Sequence, residues 1–407
     1  MALPIVDVVQ TNGNLGRVAL LTDGIAALVV TGVAPAGSQF ALGDQLVFTS
    51  LEDARAKGLD ENYDSTHGIA VFKHLVDFYS EAGEGSELHV MVIARTETLT
   101  TALLKTNNFA AKLLADKKGR IKLLAVARNP LAGYTPTVTN GVDADVFTAI
   151  ANAKDLRTQE AGFYRYCQFI VEGRSFAGAA GIATMTDLRA VNGPNANRVS
   201  VCLSAEPAQS LLTPGYASVG LLLGRLAADP VQRNPGRVKS GPLSLLNAAL
   251  SNGAAVSTFT DTQLNILNDK GYIFLRQHSG KDGFYFSNDW TATKPTDDYS
   301  RIARGRVMDK ASRLVREVYV EELLDEVDVD PTTGLLATSQ IKSYQASAQT
   351  KLEQEMKARK EIAGVVVTVD ADQNVLSTDE IQTTIDITPR GVANRLKATL
   401  SYSNPSN

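Results

Sequence analysis

The chain has 407 residues, 44% hydrophobic and 21% charged, with a formal net charge of −4. That length has room for two or three domains and a sizeable core, and the composition is that of an ordinary water-soluble globular protein. The slightly acidic balance gives no basic surface for tracking phosphates, so no nucleic-acid partner is expected.

The N-terminus, Met1-Ala-Leu-Pro-Ile-Val-Asp7, lacks the basic start and apolar core of a signal peptide. The longest apolar run, Ile25 to Val30 with its flanks, is far short of the roughly 20 residues a membrane span requires. No membrane partner is expected, and the chain is placed in a cytosol. The only cysteines, Cys167 and Cys202, fall in predicted strands and read as buried free thiols.

Leu3 to Gln10 is extended and β-rich, with Pro4 arguing for an edge or an arm. Thr11 to Gly16 supplies a turn with an Asn-Gly signal, and two apolar segments follow, Arg17 to Thr22 and Ile25 to Val33. Ser50-Leu-Glu-Asp53 opens a short capped helix. From Gly68 to Tyr79, Ile69, Phe72, Leu75, Val76 and Tyr79 form one helical face. Strands are expected at Glu87–Arg95, Ile121–Val126, Tyr166–Val171 and Arg198–Ser204, with helices at Thr98–Leu114 and Asp143–Arg157. Helices alternating with apolar strands point to a βαβ-type layered sheet.

Ser210 to Ser251 is rich in Gly, Pro and Asn and reads as long loops. A helix to Asp269 follows the Thr260 cap, then strands at Tyr272–Arg276 and Gly283–Phe286. A charged helix is expected over Asp298–Val327, with Asp297 and Asp298 as its capping cluster and an apolar stripe of Val307, Ala311, Leu314, Val315 and Val318. Its first half carries Arg301, Arg304, Arg306, Lys310, Arg313 and Arg316; its second carries Glu317, Glu321, Glu322, Asp325 and Glu326.

That polarity opposes the helix macrodipole, which favours acids first by about 0.3–1 kcal/mol per well-placed charge. The plain account is a solvated face with intrachain pairs. The sharper account is head-to-tail attraction between identical subunits through Arg304, Arg306, Lys310, Arg313, Glu317, Glu321 and Asp325. A second long helix, Thr338 to Glu361, turns Ile341, Tyr344, Ala348, Leu352 and Met356 inward. Two strands then run to the C-terminus. The last, Leu396-Lys-Ala-Thr-Leu-Ser-Tyr402, has no later segment to cover it, and a strand left this way calls for a partner. Terminal strands that add to sheets of neighbouring copies are therefore expected.

Catalytic motifs do not assemble. Ser279-Gly-Lys-Asp282 lacks the glycine and the hydroxyl residue that a phosphate loop requires, having Leu275 and Asp282 there. Gly173 to Gly181 lacks dinucleotide spacing and reads as close backbone packing. His67, His74, His89 and His278 show no metal-ligand spacing, and His74 with Asp77 reads as a surface pair. There is no nucleophile elbow, and Trp290 reads as a core or interface anchor. No enzyme activity, catalytic residue, metal or cofactor is expected.

Several stretches in order resemble the contractile tail sheath family of phage tails and injection systems. They are Asp44–Asp53, Thr66–His74 on to Ala94, and Gly215–Gly241 with Arg225, Asp229 and Pro242. Phe259–Asn268 with Gly271-Tyr-Ile-Phe274, then Trp290-Thr291 and Tyr299-Ser-Arg-Ile-Ala-Arg304, complete the resemblance. Each piece is short, so the specificity lies in their order. The Trp segment is looser than is usual for the family, and the chain is short for it, which implies little outer decoration.

The resemblance implies an α/β (α+β) fold of layered mixed sheets with flanking helices and extended N- and C-terminal β-arms. It implies stacked hexameric rings around an inner tail tube protein, contraction that drives the tube through a target envelope, and contacts with baseplate and terminator or cap proteins. Assembly would occur in the bacterial cytoplasm, for a virion tail or an injection particle. The arms would be Leu3, Ile5, Val6 and Val8 at one end and Leu396, Ala398, Leu400 and Tyr402 at the other. The expected division is residues 1–16 (arm), 17–250 (body), 251–390 (C-terminal sheath domain) and 391–407 (arm). Two other readings stay open: an α/β enzyme with its site at strand ends in the middle region, and another self-assembling tube or shell protein.

Overall fold

The computed structural model describes residues 22–402 apart from 36 and 38. The chain divides between Lys310 and Ala311 into two compact units. The expected N-terminal arm, with Leu3, Ile5, Val6 and Val8, and most of Arg17 to Thr22 lie outside the described residues.

The first unit is organised on a seven-stranded sheet. Its strands are β1 (Ala26–Gly32), β2 (Gln45–Phe48), β3 (Leu88–Ala94), β4 (Leu123–Ala127), β5 (Gln168–Glu172), β6 (Val199–Cys202) and β7 (Tyr272–Ile273). Their spatial order is β7-β6-β5-β4-β1-β3-β2. β1 pairs in parallel with both β3 and β4, and β5, β6 and β7 extend the parallel run. β2 alone is antiparallel, on the edge beside β3.

The central strands β1, β3 and β4 read as nearly unbroken apolar runs because both faces are covered. Ala27 and Val29 of β1 enter one core with Met91, Leu124, Val126 and Phe169. Ala26, Leu28 and Val30 enter the other with Val90, Val92, Leu123 and Ala125. Each fully buried Leu, Val or Phe contributes about 1.5–3 kcal/mol relative to exposure.

The helices of this unit are α1 (Leu51–Ala56), α2 (Glu61–His67), α3 (Phe72–Ala82), α4 (Leu99–Ala102), α5 (Ala110–Asp116), α6 (Asp145–Gly162), α7 (Pro207–Leu212), α8 (Val219–Ala228) and α9 (Asp261–Asp269). Ser50 and Asp53 form a reciprocal capping box on α1, and Thr260 and Gln263 do so on α9, as their sequences imply. α4, α5 and α6 cover one face of the sheet. α3 and α8 cover the other. The single helix expected over Thr98–Leu114 is broken in two. Asn107 donates its side-chain amide to the Thr101 carbonyl at 2.9 Å, closing α4 after one turn.

The expected domain boundary at residue 250 falls inside this unit, because β7 joins the main sheet and Ala249–Leu250 pairs with Ser204–Ala205. The last helix of the unit is the start of α10 (Ile302–Val320), within which the division falls.

The second unit contains the remainder of α10, then α11 (Thr338–Leu352) and a two-stranded antiparallel sheet of β8 (Ile362–Val369) and β9 (Thr383–Pro389). α11 ends earlier than expected, passing into a π-type turn at Glu353–Lys357. Ile341, Tyr344, Ala348, Leu352 and Met356 are all buried, the spacing their sequence implies. α11 packs on β8. Leu336, Ile341, Tyr344 and Val369 share one small core.

Candidate assembly surfaces

In an open α/β sheet, ligands enter at the carboxyl ends of the strands where the order reverses, here around β1 with β3 and β4 on its two sides. Side chains and backbone close that place against one another. At the end of β1, Asn129 donates to the Thr31 carbonyl at 2.8 Å and accepts from the Ala70 amide at 2.9 Å. Arg95 crosses above, donating to the carbonyls of His67, Asn129 and Pro130. At the end of β5, buried Glu172 accepts from the amides of Arg128 (2.8 Å) and Ala217 (3.0 Å) and from Arg174 (3.3 Å).

Burial pushes the Glu172 carboxyl up, and the Arg174 charge with the two amides opposes that shift. Arg174 also donates to the carbonyls of Arg128 and Pro214. Such a network holds three loops to one another. Among the described residues no group of three or more His, Cys, Asp or Glu side chains is placed to hold a metal ion.

The histidine and cysteine expectations resolve individually. His74 and Asp77 are buried and not a surface pair; Asp77 binds Lys73 at 2.6 Å and the Tyr216 hydroxyl at 2.7 Å. This burial follows from the close contact of α3 with α8, which sequence spacing on α3 alone did not reveal. Cys167 and Cys202 are buried thiols. Trp290 is a core anchor, sandwiched by guanidiniums of Arg189 (3.7 Å) and Arg301 (4.3 Å) and donating to Asn268.

The charged helix differs from expectation in extent and in the use of its bases. It starts at Ile302, and its first amides are taken by Asp289, not by Asp297 or Asp298. The Asp289 carbonyl accepts from Ile302 and its Oδ2 from Ala303, while Oδ1 binds Arg301 at 2.9 Å. Asp297 instead caps a local turn at the Tyr299 amide.

Of the residues expected to reach a neighbouring subunit, Arg306 and Lys310 are buried within the first unit. Arg306 donates to the carbonyls of Asp23 and Asp229, and Lys310 pairs with Asp23 at 2.8 Å. Their neighbour Asp309 receives a bidentate contact from Arg198 at 3.0–3.2 Å. Those two bases are therefore removed from the inter-subunit expectation, whereas Arg304 is exposed and Arg313 half-buried.

α10 ends at Val320, so Glu321 and Asp325 lie beyond the helix, with Glu322 and Glu326. The helix still has no acid in its first turn and no base in its last, so the unfavourable polarity persists at its ends, while Asp325 and Glu326 lie beyond the last turn. Glu317 remains on it and pairs with Lys351 at 2.9 Å within the second unit. Glu321 and Asp325 are exposed.

The C-terminal segment, expected to be a strand, is exposed and forms no strand. Residues 390–402 form no strand and pair with none among the described residues. Leu396, Leu400 and Tyr402 are 91%, 94% and 107% exposed. Ala398 is exposed with them. β8 and β9 pair with each other and with no third strand among the described residues. Val365 and Val367 of β8 are buried, while Ile385 and Ile387 of β9 on the same face are only half-buried.

Two family matches account for nearly the whole chain: the DUF2586 N-terminal domain over residues 3–289 and the DUF2586 C-terminal domain over residues 298–407. The chain belongs to the DUF2586 family. No curated protein matches it.

This DUF2586 chain has the fold of known sheath proteins along its full length. It is similar to the helical sheath of the anti-feeding prophage (AFP) in the contracted state, with 14% identity, 98% of this chain and 99% of that chain covered, and a TM-score of 0.62. A chain of the six-fold symmetrised AFP baseplate gives 14% identity, 99% coverage of both chains and a TM-score of 0.63. The sheath complex of the PVC extracellular contractile injection system, also contracted, gives 11%, 98% of both chains and 0.60. The DUF2586 fold is thus mixed α/β, a sheet flanked by helices, as the sequence implied. No helix among its described residues is long and apolar enough to cross a membrane.

Proposed function

We propose that this chain is the structural subunit of a contractile sheath, assembling as stacked hexameric rings around an inner tube. Rearrangement of the rings drives the tube through a target envelope. The observation that carries the reading is the pairing of two features in one chain: a two-stranded sheet whose β9 edge is open among the described residues, and an exposed, alternating terminal segment. An open strand edge is a template for another chain, and an extended segment supplies the main-chain donors and acceptors to fill it. Full-length likeness to AFP and PVC sheath chains supports the same reading.

In that role the folded first unit acts as a rigid block, and strand exchange ties blocks together while their face-to-face contacts change. The partners are further copies of this chain, an inner tube protein, a baseplate and a terminator or cap protein. The residues 1–16 and 391–407 act as the linking arms. The particle is assembled in the bacterial cytoplasm, as a virion tail or an injection particle, and the chain itself carries out no chemistry.

The test is negative-stain electron microscopy of the purified full chain beside a variant ending at Gly391. Hollow, cogwheel-edged tubes from the full chain and dispersed monomers from the variant are expected. Tubes from both would overturn the role given to the C-terminal arm, and compact particles from both would overturn the sheath reading.

A further inference from the structure

Both the terminal segment and the edge it would fill are two-faced, and their faces match in only one orientation. Along 395–402, Leu396, Ala398, Leu400 and Tyr402 fall on one side, and Arg395, Lys397, Thr399 and Ser401 on the other. Residues 390–402 carry Arg390, Arg395 and Lys397 and no acid. On β9, Ile385 and Ile387 turn toward the face where Val365 and Val367 are buried, while Thr384, Asp386 and Thr388 are exposed. Asp386 lies across from exposed Val366, in the middle of the open face.

Resting on the arm reading above, in which the terminal segment of a second copy fills the β9 edge, we infer that Asp386 selects the face and register of that segment by meeting Arg395 and Lys397. With Leu396, Ala398, Leu400 and Tyr402 turned inward, the added strand continues the apolar layer past Ile385 and Ile387, which are half-buried and have no third strand beside them among the described residues. The basic residues then lie on the same open face as Asp386. A slip by one residue would put Arg395 and Lys397 against the apolar layer and the leucines in water. The segment leaves β9 at Pro389 and makes no pairing with its own chain's edge, so among the described residues the edge stands open for a neighbour.

Reversed charges test this in three preparations of the full chain: Asp386→Lys, the double variant Arg395→Glu with Lys397→Glu, and all three substitutions together. Each of the first two alone places like charges across the strand pair, and the critical concentration for assembly at low salt is expected to rise about fivefold or more. The triple variant restores assembly. An equimolar mixture of the first two also restores it, because the basic tail of one finds Asp386 of the other and the acidic tail finds Lys at that position.

Rescue in the triple variant without rescue in the mixture would place the tail on its own chain and overturn the second-copy assignment. Wild-type assembly by both single preparations would overturn the part given to Asp386, leaving it as a charge that guards an edge. The arm reading fails separately, through tube formation by the variant that ends at Gly391. Circular dichroism and thermal melting of each preparation keep a folding defect distinct from an assembly defect.

Discussion

Gly224 of α8 lies directly against the Phe78 carbonyl of α3, so close that a Cβ on Gly224 would overlap that oxygen. Gly220, one turn earlier, stands in the same relation to the carbonyl of His74. The spacing of four on both helices brings the two backbones together where side chains would hold them apart. This contact buries His74 and Phe78 and seats α8 beneath the centre of the sheet.

Replacement of Gly224 by alanine sets two effects against each other. Alanine favours a helix interior over glycine by roughly 0.5–1 kcal/mol. Overlap with a backbone oxygen forces the helices apart, and overpacking of this kind costs about 1–3 kcal/mol. The overlap is with main chain and has no flexible atom to yield, so Gly224→Ala is expected to be net destabilising. Urea unfolding measures it; an unchanged or raised midpoint would contradict the close contact.

The start of α10 depends on Asp289, fully buried between Arg301 and the Ala303 amide. Burial pushes its carboxyl up, and Arg301 opposes that. Removing one partner of a buried pair leaves the other charge uncompensated, at about 3–5 kcal/mol. Asp289→Ala is expected to lose that much stability. The emission of Trp290, the sole tryptophan, should shift in the native state as Arg301 leaves its ring. Unaltered native emission and unfolding free energy would count against this arrangement.

Acid should weaken the fold in part through His74. Burial, with Lys73 and Arg174 nearby, brings its pKa down from 6.5 to about 3. The unfolded chain therefore binds a proton below about pH 6.5 that the folded chain refuses until about pH 3. Stability from this group is complete above pH 6.5 and falls as pH drops toward 3, by on the order of a few kcal/mol. Asp64 acts in the opposite sense: burial raises it from 3.8 to about 6, so its share favours the fold as pH falls through that window. Subtracting the stability–pH curve of His74→Met from that of the wild type isolates the histidine. A flat difference between pH 6.5 and 3 would refute the assignment.

Charge reversals along and after α10 should separate folding from assembly. Lys310→Glu places an acid beside Asp23 and is expected to lower the melting temperature by several degrees before any assembly is attempted. Glu321→Lys and Asp325→Lys, both exposed beyond the helix, should leave the melting temperature within a degree or so. Any effect they have belongs to contacts between copies, and sedimentation of assembled material reads it. Loss of stability at Glu321 with none at Lys310 would reverse the assignment of the two halves.

The layered sheet was legible because its signals are local. β1, β3 and β4 are apolar at nearly every position, and α1 and α4 start at Ser50 and Thr98 caps. Where polar side chains reach across space, the element boundaries were not legible. Asn107 stops α4 through Thr101, and Asp289 caps α10 from twelve residues before Arg301. Neither leaves a fixed spacing in the sequence, because the partner is chosen by the fold.

The assembly surfaces divide in the same way. Alternation of Leu396, Ala398, Leu400 and Tyr402 against Arg395 and Lys397 is a period-two pattern, and the chain alone determines it. The chain alone likewise determines the acidic run from Glu317 to Asp330, with no base inside it. Only tertiary structure decided that Arg306 and Lys310 are spent on Asp23 and Asp229, so that a helix reading as bipolar keeps only part of its basic half at the surface. Only tertiary structure left β9 with half-buried isoleucines and, among the described residues, an open edge. Periodicity follows from backbone geometry one residue to the next, whereas burial of a charge and the completeness of a sheet depend on which distant segments arrive.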